Sequence, residues 1–183
     1  MKRIAVCLLL LILSGCSGDD RLETGLALRS RLLQGNGCTF SMDILADNGR
    51  EISEFSLDCT ADAKGNLQFT VTAPESISGI SGRLSASGGA LTFDGMALDF
   101  GLFPEGELSP VSAPWIFLNT LRSGSLLSAC EEGERTRLSL DDSYAEDALR
   151  LDIWLEQENP VRAEVLSAGR RILTLDVRSF VIL

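Results

Sequence analysis

The sequence predicts an α+β domain of about eight or nine antiparallel strands and two or three helices. Three observations indicate this class. Short segments in which apolar and polar residues alternate are separated by turn signals at Asn48-Gly49, Gly65 and Gly88-Gly89. An amphipathic segment over 21–34 opens the domain and stops at a glycine, as a helix does. A Pro-bounded apolar segment over 109–124 predicts a second, buried helix between the strands.

The N-terminus predicts export. Lys2 and Arg3 precede a ten-residue apolar run over 4–13, which is typical of a secretory signal peptide and too short to span a bilayer permanently. The following Leu13-Ser14-Gly15-Cys16 resembles the bacterial lipobox. That resemblance implies cleavage after residue 15 and a mature chain that begins at Cys16, lipidated with diacylglycerol and a fatty acid such as palmitate. The alternative is an ordinary signal peptide followed by an accidental cysteine.

These features divide the chain into a signal peptide (1–15), a lipidated tether (16–20) and one globular domain (21–183). We therefore expect a lipoprotein anchored at the extracytoplasmic face of the cell membrane through its N-terminal lipid. With Ser17 after the acceptor cysteine, an outer-membrane destination is allowed if the host has two membranes.

Composition excludes several function classes. The chain contains no histidine, which removes Ser-His-Asp and Cys-His nucleophile pairs and every histidine-bearing metal site. Removal of residues 1–15 leaves 14 basic against 26 acidic groups, a formal charge of about −12. Such a surface repels nucleic acid. We expect no metal, no cofactor and no nucleic-acid partner.

Two of the remaining cysteines flank the first predicted hairpin. If Asn48-Gly49 forms a two-residue turn closed by Asp47 and Arg50, Cys38 lies directly opposite Cys59. Directly opposed residues in a non-hydrogen-bonded position have Cα atoms about 4.5 Å apart, close enough for a disulfide. This register predicts a Cys38–Cys59 bridge. The alternative is two reduced, buried cysteines that pack as small hydrophobes, and Cys130 has no evident partner.

Later turns extend one apolar face across the strands. A turn over 62–66, with Gly65 in the left-handed conformation, places Cys59 opposite Phe69. A turn at Gly88-Gly89 places Leu84 opposite Phe93. Further strands are predicted over 135–140, 149–155, 161–166 and 172–182.

The order of these elements resembles the outer-membrane lipoprotein carrier superfamily, which includes LolA-like proteins, RseB-like sensors and LppX-type lipoproteins. The resemblance rests on the lipobox, the opening helix, the Pro-bounded helix and the closing hairpins, and on three stretches of sequence: 73–82, 110–115 and 159–173. It covers nearly all of the mature chain, its motifs are loose, and no catalytic signature accompanies it. It implies a half-open antiparallel barrel whose concave face is closed by helices and lined with apolar side chains.

The predicted registers and the second helix supply candidates for such a lining. They are Phe40, Met42, Phe55, Leu57, Phe69, Val71, Leu84, Phe93, Trp115 and Phe117. These side chains line a cavity for a lipid or acyl chain, or else they form a packed core.

The only stretch that invites acid/base chemistry is 141–147, with four carboxylates beside Tyr144. It lacks the spacing of a calcium loop and is better explained as a solvated turn. We therefore expect a non-enzyme: an anchored envelope lipoprotein that binds a lipid or other apolar ligand as carrier, receptor or sensor. The alternative is a protein-interaction or sensor module with a solid core and an envelope protein as partner.

Overall fold

The computed structural model describes residues 20–86, 88–93, 96–100 and 110–183, and for residues 93 and 97–100 the backbone alone. The predicted signal peptide, Cys16 and the tether up to residue 19 lie outside the described residues, as does the side chain of Phe93. Within the described residues, no helix combines the length and the apolar character needed to cross a membrane.

The described part contains two α-helices and eleven strands. The helices are α1 (Asp20–Gln34) and α2 (Ala113–Ser123). The strands are β1 (Gly37–Asp47), β2 (Ile52–Asp62), β3 (Leu67–Ala73), β4 (Ser81–Ser85), β5 (Gly88–Phe93), β6 (Met96–Phe100), β7 (Ser125–Glu132), β8 (Arg135–Asp141), β9 (Arg150–Glu156), β10 (Asn159–Ser167) and β11 (Arg170–Ile182). Short 3₁₀ turns over Glu75–Ile77 and Pro110–Ser112 follow β3 and precede α2.

All eleven strands form one antiparallel sheet in the order β6-β5-β4-β3-β2-β1-β11-β10-β9-β8-β7. The sheet is curved and open, as the resemblance to the lipoprotein carrier superfamily implies. The first and last strands of the domain, β1 and β11, pair at its centre, whereas β6 and β7 form its two edges. Since α2 lies between β6 and β7 in the chain, the segment that contains it links one edge of the sheet to the other.

The alternation of buried and partly buried residues along the strands identifies the face of the sheet that the helices cover. Along β1, residues 38, 40, 42, 44 and 46 are buried, and the intervening residues are only partly buried. Successive side chains of a strand point to opposite faces, so the buried set defines one face, here called the inner face. Leu28 and Leu32 of α1 and most of α2 join the same buried cluster. Removing each such side chain from water stabilises the fold by about 1.5–3 kcal/mol.

Two arginines fasten the helices to each other and to the sheet. Arg29 of α1 donates hydrogen bonds to the carbonyl oxygens of Leu121 (2.9 Å) and Gly124 (2.7 Å), at the C-terminal end of α2. Arg122 of α2 connects this helix to the sheet, because it donates a hydrogen bond to the carbonyl oxygen of Ala63 (2.8 Å) in the β2–β3 turn. Helix C-termini leave carbonyl groups without partners, and a guanidinium satisfies them while complementing the helix dipole. Burial lowers the pKa of Arg29 from its ordinary value.

Several local predictions are confirmed. Gly65 has a φ of 85°, and Cys59 pairs with Phe69 across the β2–β3 hairpin as predicted. The Pro-bounded segment forms α2, with Pro114 in its first turn and Gly124 as its C-cap. The four strands predicted after residue 135 are β8 to β11.

The predicted register of the first hairpin is wrong by two residues. Asp47 pairs with Ile52, so Cys38 faces Ala61 and Cys59 faces Phe40. The cause is a four-residue loop in place of a two-residue turn, because the Asn48 side-chain oxygen accepts hydrogen bonds from the backbone of residues 50 (2.9 Å) and 51 (2.8 Å). An even shift leaves every side chain on its predicted face.

This shift removes the geometric basis of the predicted Cys38–Cys59 disulfide. The two cysteines are diagonal neighbours, for which Cα atoms are typically about 7–8 Å apart, beyond the usual range for a bridge. Cys38 and Cys59 are buried free thiols in the structure.

The prediction for the Gly88-Gly89 turn is also wrong. Both glycines lie within β5, and Leu84 pairs with Gly89 instead of Phe93. The observed β4–β5 register differs from the predicted one by four residues, an even shift that again preserves the faces. Edge strands β6 and β7 had no counterpart among the predicted strands, because neither segment shows clear alternation.

Candidate functional site

The candidate site is the inner face of the sheet together with the helix surfaces that cover it. Nine of the ten residues predicted to line a cavity have described side chains, and all nine belong to this face or to α2. Eight of them are at most 8 % exposed: Phe40, Met42, Phe55, Leu57, Phe69, Val71, Leu84 and Phe117. Trp115 is half-buried and packs against the others. The tenth, Phe93, has its backbone in β5.

Three phenylalanines join α2 to the centre of the sheet. The ring of Phe117 lies 5.7 Å from that of Phe40 on β1 and 6.2 Å from that of Phe180 on β11, in tilted and edge-on arrangements. Phe40 and Phe180 stack at 5.9 Å. Aromatic pairs in these geometries stabilise beyond simple burial. The sequence prediction missed Phe180, because the bulge that brings it to the inner face lies in the β1–β11 pairing.

The C-terminal half of the sheet extends the same apolar face. Its buried residues were not predicted as site residues, although their alternation is as regular as that of β1 and β2. They include Leu138, Leu140, Leu151, Ile153, Leu155, Ala163, Val165, Leu173 and Leu175. The α1 helix lies directly over this half, since a side chain added at Gly25 would come within 3.0 Å of Leu138.

The two tryptophans of the chain occupy opposite faces of the sheet. Trp115 belongs to α2, on the inner side. Trp154 lies on the outer face of β9, where its indole donates a 2.6 Å hydrogen bond to Glu132 and the guanidinium of Arg162 lies 6.0 Å from its ring. This arrangement provides a natural pair of optical reporters.

Burial shifts the pKa values of the two buried thiols upward. Burial raises the pKa of Cys38 to about 11, and burial, assisted by the charge of Asp58, raises the pKa of Cys59 still further. Because the thiolate is the nucleophile, neither cysteine is activated.

Most of the acidic segment over 141–147 is exposed in the loop between β8 and β9. Tyr144 is 97 % exposed at the tip of the β8–β9 loop, and Asp142 accepts a hydrogen bond from the backbone of Leu149 (2.9 Å). Asp141 pairs with Arg150 at 3.3 Å. In the described part of the chain, no group of three or more Cys, Asp or Glu side chains is placed to hold a metal ion.

Several solved structures have a fold similar to that of this chain. No family model and no curated protein matches the chain. A putative outer membrane lipoprotein-sorting protein domain from Vibrio parahaemolyticus matches with a TM-score of 0.52 at 10 % identity, over 90 % of this chain and 92 % of that one. A LolA superfamily protein from Nitrosomonas europaea gives 0.49 at 8 % identity, over 87 % and 93 %. The lipoprotein LppX from Mycobacterium tuberculosis gives 0.44 at 12 %, over 89 % and 96 %.

At these identities the likeness concerns the fold alone. The chain has a LolA-like fold, in which an open, curved antiparallel sheet carries helices against its inner face. Fold does not determine function, which has to be argued from the site.

Proposed function

We propose that the chain is a lipoprotein of the bacterial envelope, anchored through lipidated Cys16, that binds a lipid or another apolar ligand between the inner face and the helices. It acts as a carrier, receptor or sensor and catalyses no reaction. One observation carries this proposal: a continuous apolar face runs across most of the sheet and is closed by two helices. The helices contact each other through hydrogen bonds from Arg29 to the Leu121 carbonyl oxygen and from Arg122 to the Leu32 carbonyl oxygen. Apolar, concave surfaces closed by separate elements are where ligands bind most often.

The shared fold supports an envelope role. The Vibrio protein is described as a putative outer membrane lipoprotein-sorting protein domain, and its likeness to this chain spans nearly the whole of both. The lipobox-like Leu13-Ser14-Gly15-Cys16 supports the same location from the sequence.

The short tether favours a receptor, sensor or transfer site over a freely diffusing carrier. Helix α1 begins at Asp20, so three residues lie between it and Cys16, and the four residue steps from Cys16 to Asp20 span at most about 14 Å. A domain held this close to the bilayer exchanges apolar ligands with it directly.

A second candidate function is a protein-interaction or sensor module whose interior is solid. The low exposure of the predicted cavity residues favours it, because side chains at 0–2 % exposure leave no room for water or ligand beside them. Ligand binding therefore requires α2 to move away from the sheet. A protein-interaction module requires no such movement.

Tryptophan quenching by brominated lipid distinguishes the two functions. The full chain is incorporated into vesicles with or without bromine on the acyl chains, as two single-tryptophan variants. Trp154→Phe retains the inner reporter Trp115, and Trp115→Phe retains the outer reporter Trp154. If an acyl chain enters beneath α2, bromine quenches Trp115 and leaves Trp154 bright.

Other outcomes contradict the proposal. An unquenched Trp115 favours the solid module, and equal quenching of both tryptophans indicates a domain immersed in the bilayer. The anchor is tested separately by incorporation of an alkyne-tagged fatty acid, with Cys16→Ser as the control that must remain unlabelled.

A further inference from the structure

A groove lined by hydroxyl groups lies on the outer face of the sheet, opposite the apolar site. Its volume is about 860 Å³. The strand registers align one row of short polar side chains across six strands: Ser179, Ser41, Asp58, Thr70, Ser81 and Thr92. Strands are spaced about 4.8 Å apart, so this row extends for about 24 Å.

A second row runs parallel to the first. It comprises Thr39, Thr60, Gln68 and Arg83, on β1 to β4. Both rows line the groove, and the sheet backbone between them forms its floor. The walls therefore present hydroxyls and one amide, with a single carboxylate and a single guanidinium.

Most of these groups have no side-chain partner among the described residues. Ser41 donates a 2.8 Å hydrogen bond to Asp58. Among the described residues, Thr70, Ser81, Gln68 and Arg83 make no side-chain hydrogen bond or ion pair. Their donors and acceptors remain available to water or to a ligand.

The other half of the outer face is built differently. On β8 to β11 every arginine forms an ion pair with a carboxylate. Arg83 is the exception to this pattern on the strands of the described sheet. Hydration alone does not explain why one half of the outer face carries a continuous row of short polar side chains where the other half carries charged pairs.

The charge of the groove also differs from that of the chain. Asp58 and Arg83 cancel, whereas the chain carries a formal charge of −10. The chain as a whole repels anions, and the groove offers no excess of either charge.

We infer that this groove binds a neutral glycan chain. A sugar presents neighbouring hydroxyls, each of which both donates and accepts, and the two rows match that pattern. Asp58 accepts and Arg83 donates the stronger, charge-assisted hydrogen bonds, and the serine and threonine hydroxyls do both. The length of the groove and the polarity of its lining fit an extended polymer better than a small molecule.

Other ligand classes fit less well. A peptide that adds to a sheet needs an unpaired strand edge. The six strands whose described residues line the groove, β11 and β1 to β5, are each paired on both sides. A lipid chain needs an apolar surface. Nucleic acid and acidic glycans need excess positive charge, which the groove does not have.

Isothermal titration calorimetry of the full chain tests this inference, in a detergent without a sugar headgroup. The probes are the neutral tetramer of N-acetylglucosamine and the anionic tetramer of galacturonic acid. Thr70→Val removes one hydroxyl from the groove at nearly constant volume, and Thr174→Val makes the same change on the outer face outside it. Valine favours strands, so both variants should fold, which melting curves verify.

We expect the neutral tetramer to bind and Thr70→Val to weaken it about three- to tenfold, the effect of one lost hydrogen bond. Thr174→Val should bind as the parent does. No binding of the neutral tetramer, or equal binding by all three proteins, overturns the assignment of the site. Tighter binding of the anionic tetramer overturns the assignment of a neutral ligand. Because the inner-face quenching assay uses neither the groove nor these probes, the two proposals fail independently.

Discussion

Truncating Phe117 to alanine measures how tightly the interior is packed. Phe117 is fully buried and contacts the rings of Phe40 and Phe180, so its ring links α2 to the two central strands. The substitution removes a whole aromatic ring and leaves a cavity at the centre of the candidate site.

The expected loss follows from the burial and the ring contacts. Removing a buried phenylalanine side chain typically costs 3–5 kcal/mol, so about 4 kcal/mol is expected here. The two ring contacts are part of that value, since such pairs contribute about 0.5–1.5 kcal/mol each. For a domain of this size, each kcal/mol lowers the melting temperature by about 2–4 °C, and the total shift is about 8–16 °C.

Urea denaturation of the full chain in micelles provides the assay, with Tyr144→Ala as the control. Tyr144 is 97 % exposed, and its removal should change the free energy of unfolding by less than about 0.5 kcal/mol. A loss below about 1.5 kcal/mol for Phe117→Ala, with an unchanged denaturant slope, refutes tight packing around α2. That result would instead indicate an interior that already yields space to a ligand.

Three further predictions concern the thiols and the backbone. At pH 8 iodoacetamide should modify half-buried Cys130 in the native chain well before buried Cys38 and Cys59, as peptide mass spectrometry would show. The pKa of the Cys38 thiol is raised to about 11, so the unfolded chain loses this proton at a lower pH than the folded chain does. The free energy of unfolding should therefore fall as pH rises from about 9 towards 11. A free energy of unfolding that stays constant over this range contradicts the burial of the thiol. Gly37→Ala should destabilise by at least about 2 kcal/mol, because Gly37 has a φ of 137° and a Cβ there collides with a carbonyl oxygen of β2. Gly133→Ala isolates the conformational cost, since its φ is 67° and nothing lies within 4 Å, and equal losses at both glycines would disprove the collision.

Local signals predicted the elements whose geometry depends on near neighbours. The β2–β3 hairpin follows from Gly65 and the Asp62 side chain, which accepts hydrogen bonds from the backbone of residues 64 and 66. Helix α2 follows from Pro114 and Gly124. In both cases the residues that determine the structure lie within about ten positions of each other.

The errors arose where a loop could close in more than one way. Asn48-Gly49 is compatible with a two-residue turn, but the Asn48 oxygen captures two backbone amides and lengthens the loop. Because the shift is even, the hydrophobic pattern is satisfied by either register and cannot choose between them. The inner face was therefore predicted correctly from partly wrong pairings.

The sequence by itself determined the apolar and polar faces of the strands, the two helices and the absence of histidine chemistry. Alternation and capping are properties of short segments, so they can be recognised without the fold. Only the tertiary structure decided that Phe180 joins Phe40 and Phe117, and that hydroxyls from six strands align in one groove. These juxtapositions depend on long-range strand registers, including the pairing of β1 with β11 across most of the chain, which no local pattern encodes.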